Sequence, residues 1–303
     1  MTQQTTPFTQ AVGRWAGNAE VFDGQGHFLG NGTDYRYVQM LDGRRLRVDV
    51  SFVGPFKHSG HYFIQQEADH RLYQGPANMG YAEALSDQLV DANAYWPALG
   101  LSQRFFLLIV DGNLQLSLAH MSRGEQVLYV VVGQNDRVPE DTPVPQPSLV
   151  SGVHYDWQND PSAGRGEIIL HRAGLWCGNL TALGENNQPL GTFPYSQQCQ
   201  PAGAGALELH TQGGAFAGAS QRALFVTNGW QAWAIGESEV VGSYSLSGGR
   251  ALSGQFYYRT TNLRCWQREV TTLDGARKAV VQQWYRGGRR IGSQSGVLEF
   301  ERA

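Results

Sequence analysis

One stretch constrains this 303-residue chain more than any other, because it occurs twice. Gly13-Arg14-Trp15-Ala16-Gly17-Asn18 returns 161 positions later as Gly174-Leu175-Trp176-Cys177-Gly178-Asn179. Each copy leads into a strand-like run, a polar turn and a Leu-Gly pair, Leu29-Gly30 and Leu190-Gly191, so Trp and Gly are 15 positions apart both times. Leu46 to Phe52 alternates apolar and polar residues, the mark of a strand with one buried face, and Leu207 to Thr211 repeats that phase at the same 161 offset. A duplicated unit of about 130–160 residues is too long for a solenoid repeat and suits one closed barrel. Two β-sandwiches that resemble each other by chance are the alternative.

The rest of the chain extends the pattern. Leu252 to Tyr257 resembles Leu101 to Phe106 at an offset of 151, which places a ten-residue insertion in the first half. On that alignment Leu263 to Val270 and Arg277 to Arg286 mirror Leu114 to Met121 and the run from Gln126, and Gly296 to Glu301 adds a final strand. Tyr81 to Trp96 carries a modest helical pattern of Ala82, Ala84, Leu85, Leu89 and Ala92 with a stop at Pro97; it reads as a connection more readily than as a lid. Pro139, Pro143, Pro145 and Pro147 forbid a central strand, so the expected domains are 1–137 and 161–303 with a linker over 138–160.

Composition narrows the class. Scattered glycine, 38 residues in all, between short apolar runs reads as an all-β protein with many turns. A net charge of -3 argues against nucleic acid as a partner. The chain has no apolar run of transmembrane length, so no membrane insertion is expected. Met1 to Gln10 lacks the pattern of a secretory signal, and three widely spaced cysteines suit a reducing cytoplasm better than a disulfide framework or a zinc cluster.

Gly13-Arg14-Trp15 and Gly174-Leu175-Trp176, each opening a meander of strands, resemble the calycin superfamily of lipocalins, fatty-acid-binding proteins and nitrobindin-like barrels. The resemblance implies two consecutive antiparallel calycin-like barrels whose tryptophan closes the floor under an arginine from a late strand. Arg264 and Arg268 are the candidates for that arginine in half two, and half one offers no counterpart. The tandem arrangement is similar to two-barrel calycins that include hydratases and pericyclic cyclases, an analogy of architecture alone.

Phase supplies the candidate site. Leu114, Leu116, Leu118 and His120 share a face expected to point inward, and the matching face in half two is Leu263, Cys265, Gln267 and Glu269. Polar groups in a leucine stripe are unfavourable unless a cavity solvates or bonds them, and a buried glutamate serves as a general acid or base. Glu269, Gln267 and Tyr257 are therefore the expected catalytic residues of a cofactor-independent cyclase or isomerase acting on a small hydrophobic molecule. Trp230, Trp233, Trp266, Trp284, Phe256 and His120 are expected to line its pocket, although such rings equally suit a filled core. A carrier of a lipid, pigment or tetrapyrrole and a structural module are the rival functions. His58 and His61 read as surface histidines, Asp49 and His210 as outer-face residues, and Cys177 and Cys265 as core. No metal site, nucleotide fingerprint or serine nucleophile motif is present, and the sequence assigns no oligomeric state.

Overall fold

The structure, a computed structural model, describes residues 7–67, 70–83, 85, 88–143, 160–203, 205–218, 220–235 and 239–302. The linker expected over 138–160 therefore lies largely outside the described residues. The chain divides into two compact units, Met1–Asp156 and Trp157–Ala303.

The first unit contains β1 Gly13–Phe22, β2 Phe28–Asp42, β3 Arg45–Val53, β4 Lys57–Gln66, β5 His70–Gln74, β6 Met79–Glu83, β7 Leu89–Trp96, β8 Leu101–Ile109, β9 Leu114–Arg123 and β10 Gln126–Val138. The second contains β11 Gly174–Gly184, β12 Pro189–Pro201, β13 Ala206–Gly213, β14 Ser220–Asn228, β15 Gln231–Ala234, β16 Val240–Ser247, β17 Ala251–Tyr258, β18 Leu263–Thr271, β19 Arg277–Arg286 and β20 Arg289–Glu301. In each unit every strand pairs antiparallel with its sequence neighbours, and first and last strands close the barrel. The protein is thus two ten-stranded barrels in tandem, as the repeat implies. Among the described residues, no helix is long and apolar enough to cross a membrane.

Each strand of the second barrel begins 161 to 163 positions after its counterpart in the first: Gly174 follows Gly13 by 161, Leu263 follows Leu101 by 162, and Arg289 follows Gln126 by 163. This constancy corrects the expected ten-residue insertion. The 151 offset had slipped by one strand, pairing β17 with β8 instead of β7. The region read as helical is β6 and β7, whose ladder runs from Met79 opposite Tyr95 to Glu83 opposite Asp91. Its alanines, Ala82 and Ala92, face each other inside the barrel, where small side chains suit a crowded wall.

Cross-strand partners project to the same side of a sheet, so the registers fix which residues face each lumen. Trp15 lies between Arg36 on β2 and Arg137 on β10, and Leu46, Val48, Ile64 and Ala82 share its cluster. Following the same ladder, Gln115, Ser117 and Ala119 of β9 point inward. Leu114, Leu116, Leu118 and His120 therefore sit on the outer side of the sheet, opposite to the sequence expectation. The leucines are buried there nonetheless. A strand buried on both faces has no alternation from which to read its inward side.

The tryptophan floors are built differently. Trp15 donates its indole N–H to the Ala11 carbonyl at 2.8 Å, and the Arg137 guanidinium lies 4.3 Å from its ring centroid. Arg137 is held by the carbonyls of Val12, Gln10 and Gly112. It is the late-strand arginine that half one was expected to lack. In the second barrel Phe300 takes the matching place 4.8 Å from Trp176, and the Lys278 ammonium lies 4.9 Å from the indole. Arg268 instead stacks on Trp266 and Arg264 is exposed, so neither is the floor partner. Gly17 and Gly178, two residues past each tryptophan, pass so close to the β10 and β20 backbones that a Cβ would overlap them. Each Trp→Ala substitution, at position 15 or 176, should cost about 3–5 kcal/mol in equilibrium urea unfolding. A cost below about 1 kcal/mol would show that the indole is not the anchor.

Candidate functional site

The second lumen contains a continuous polar network. Glu269 and Gln267 project inward from β18 as expected. The Glu269 carboxylate accepts from Gln197 Nε2 at 2.8 Å, Gln267 Nε2 at 2.5 Å and Lys278 Nζ at 2.8 Å. Lys278 also donates to Gln197 Oε1. Gln282 donates to Gln267 Oε1 at 2.7 Å and to Tyr195 Oη at 3.2 Å, and Gln294 donates to Gln282. Burial, reinforced by the Glu269 charge, raises the Tyr195 pKa, so Tyr195 stays a neutral phenol. Lys278 and Glu269 have side chains only 3% exposed, and a buried pair of this kind is tolerated because further hydrogen bonds satisfy both groups.

Beside this network is a small cavity of about 20 Å³, bordered by Phe225, Phe256, Tyr258, Ala223, Gln221 and Gln267. Gln221 closes one side by donating to the Ala217 carbonyl at 2.8 Å. The volume is far below the roughly 300–1,000 Å³ of a small-molecule pocket. Leu170, carried by the 3-10 turn Ile169–His171, packs into the same core cluster, and His171 Nε2 lies 2.7 Å from Tyr244 Oη.

The other expected site residues separate. Phe256 and Trp284 face the lumen, Trp284 being fully buried with its ring centroid 4.9 Å from that of Tyr258. Tyr257 is on the outer face, 38% exposed, and donates to Asn262 Oδ1. Trp233 is exposed, Trp266 lies outside the barrel under Arg268, and Trp230 is in the turn before β15. His120 faces outward on β9. Cys265 is core, but Cys177 alternates to the outer face, where its thiol meets Glu301. Among the described residues, no cluster of three histidines, cysteines or carboxylates is arranged to hold a metal.

The first lumen differs at equivalent heights. Arg36, Val50, Tyr62, Phe105 and Val131 face inward well below the strand ends, yet all retain partial exposure. Their counterparts at offsets of 161 to 163 are Gln197, Thr211, Phe225, Gln267 and Gln294, and all five are buried. At these five heights solvent reaches the first lumen and not the second. At the open end stand His58 and Trp96, their rings edge-to-face at 6.2 Å. Burial among these groups holds the His58 pKa below its ordinary value, with Asp34 partly offsetting it. Deeper in, Asp34 binds Arg36 Nη2 at 2.5 Å and accepts from Asn135 Nδ2 at 3.1 Å. Sequence reasoning missed this lumen because its polar residues come from strands far apart; the constant offset, once found, is the signal that reveals them.

The sequence matches no protein-family model, and no curated protein is significantly similar. Among solved structures it is similar to a protein of unknown function from the DUF3598 family of Nostoc punctiforme, with 13% identity, 99% of this chain and 100% of that chain covered, and a TM-score of 0.60. That likeness shows the tandem fold. An S-type phycobiliprotein lyase of Guillardia theta matches at 10% identity over 44% of this chain and 90% of its own, with a TM-score of 0.35. A redesigned β-barrel bound to DFHBI matches at 11% over 43% and 98%, with a TM-score of 0.28. These last two carry no argument about function.

Removing one partner of the buried pair, as in Lys278→Met, should destabilise the protein by about 3–5 kcal/mol, and adding Glu269→Gln should restore much of the loss. Urea unfolding of the wild type and the two variants checks this. Burial also pushes the His171 pKa down to about 4. The unfolded histidine, with a pKa near 6.5, takes up a proton that folded His171 refuses. Stability is therefore full above about pH 6.5 and falls as the pH drops toward 4. His171→Gln should flatten this part of the urea-midpoint profile.

Proposed function

We propose that this protein binds a small, mostly apolar molecule in the lumen of its first barrel, in the manner of a calycin-like binding protein, with the second barrel as a closed companion. The observation that carries this reading is the contrast at matched positions: Arg36, Val50, Tyr62, Phe105 and Val131 are reachable by solvent where Gln197, Thr211, Phe225, Gln267 and Gln294 are not. Tyr62, Phe105 and Trp96 provide aromatic walls, and Arg36 a placed polar group, which is the usual make-up of a small-molecule site.

Binding is favoured over the cyclase or isomerase chemistry expected from Glu269. A general acid or base must reach the proton it moves. The Glu269 carboxylate is taken up by Gln197, Gln267 and Lys278 and is itself buried.

Titration with Nile red, a neutral polarity-sensitive dye, tests the site. Ala94→Phe narrows the first lumen and should weaken binding roughly tenfold or more, whereas Ala223→Leu, which fills the second pocket, should leave it unchanged. The reverse pattern would move the site to the second barrel, and equal binding by both variants and the wild type would overturn binding in either lumen.

A further inference from the structure

We infer that the first lumen selects a planar aromatic molecule carrying an uncharged oxygen acceptor, such as a ketone, in preference to an anionic one, and that Arg36 Nη1 is the donor that grips it. This rests on binding in the first lumen and adds the chemistry of the ligand.

The guanidinium is partly committed. Its Nε and Nη2 face the two oxygens of Asp34 at 3.4 and 2.5 Å. Asn135 holds Asp34 from the far side at 3.1 Å, so the carboxylate is fixed. Nη1 has no hydrogen-bond partner among the described residues, and the Arg36 side chain stays 15% exposed within the lumen. Below it the Phe105 ring centroid lies 5.4 Å from the guanidinium carbon. One N–H edge of a planar cation therefore faces open space beside an aromatic wall.

Charge decides between ligand classes. Arg36 is already neutralised by Asp34 in direct contact. A carboxylate or sulfonate docked on Nη1 would stand within a few ångströms of the Asp34 carboxylate, and the repulsion would cancel most of its attraction to Arg36. A neutral carbonyl suffers no such opposition and still receives a charge-assisted hydrogen bond. Tyr62 adds no charge, because burial raises its pKa and keeps it a phenol. The rings of Tyr62, Phe105 and Trp96 suit a flat partner that stacks or meets them edge-on.

Two naphthalene dyes that differ in charge make the test: Prodan, a neutral ketone, and 1-anilinonaphthalene-8-sulfonate, an anion. The wild type should bind Prodan roughly tenfold or more tightly than the sulfonate. Asp34→Asn leaves the Arg36 charge unmatched and should tighten sulfonate binding by roughly tenfold, a gain that misfolding cannot imitate. Arg36→Lys, which loses the planar fork, should weaken Prodan by a similar factor while Nile red still binds. Equal affinity of the wild type for the two dyes, or no response of the sulfonate to Asp34→Asn, would overturn the inference. Nile red binding with no Prodan binding would overturn the ligand class alone. Loss of all three dyes would remove the lumen site and this inference with it.

Discussion

A closed barrel has a fixed interior, and here each interior is set from below by one indole. Trp15 and Trp176 occupy the same step of the same ladder, and the glycine two residues on lets the closing strand approach. What caps the indole then differs. In the first barrel Arg137 lies flat on it and is bound by three backbone carbonyls, so the cation is used up at the floor. In the second, Phe300 supplies an apolar cap and leaves the cationic place to Lys278. Lys278 needs a counter-charge, Glu269 provides it, and glutamines satisfy the remaining donors and acceptors. The polar filling of the second lumen can be traced to the choice of cap over Trp176.

The same comparison explains why one interior is open. At the height of Arg36 the second barrel has Gln197, whose amide reaches across to Glu269; at the height of Val131 it has Gln294, which reaches Gln282. The Gln197 amide bridges the lumen from β12 to β18, while Gln294 bonds along the wall to its neighbour on β19. In the first barrel the matching polar group, Arg36, turns back to Asp34, two residues away on its own strand, and spans nothing. Arg36 thus leaves the first lumen uncrossed at this height, where Gln197 crosses the second. Fully satisfied networks also favour a single packing, so the second barrel is the more rigid partner by construction.

Much of this architecture is legible in the sequence, and the failures have identifiable causes. The repeated Gly-x-Trp-x-Gly and the alternation at Leu46 and Leu207 are enough for two antiparallel barrels, because close strand approach and a one-sided strand both leave residue patterns. Glu269 and Gln267 do face the lumen, but their match to the β9 leucines fails, because those leucines face outward and β18 is the counterpart of β8. The slip by one strand arose where Leu-Ser-x-x-Phe recurs in β8 and β17, whose short strands and similar composition allow two alignments. The inward face of β9 was unreadable because Leu114 to Ala119 are buried on both sides. Tyr257 and Trp266 alternate outward while their neighbours Phe256 and Gln267 turn in, and aromatic content alone does not distinguish them. The pairings of Glu269 with Lys278 and of Asp34 with Asn135 join residues that no local pattern connects.

The open lumen places a condition on anything that enters it. The Arg36 side chain is 15% exposed, and burying its free edge under a ligand with no acceptor would leave a charged donor unpaired, which costs on the order of 1–3 kcal/mol or more. A purely aliphatic ligand gains area against Tyr62 and Phe105 but meets that cost in full. Burial of about 100 Å² of apolar surface returns only ~2.5 kcal/mol, so the two effects are comparable. The lumen is therefore not an indifferent apolar container. If it binds as proposed, its selectivity would be set by one ion pair that is neutral as a unit yet leaves an N–H without a partner, and affinity would follow from matching that donor at the same time as the rings around it.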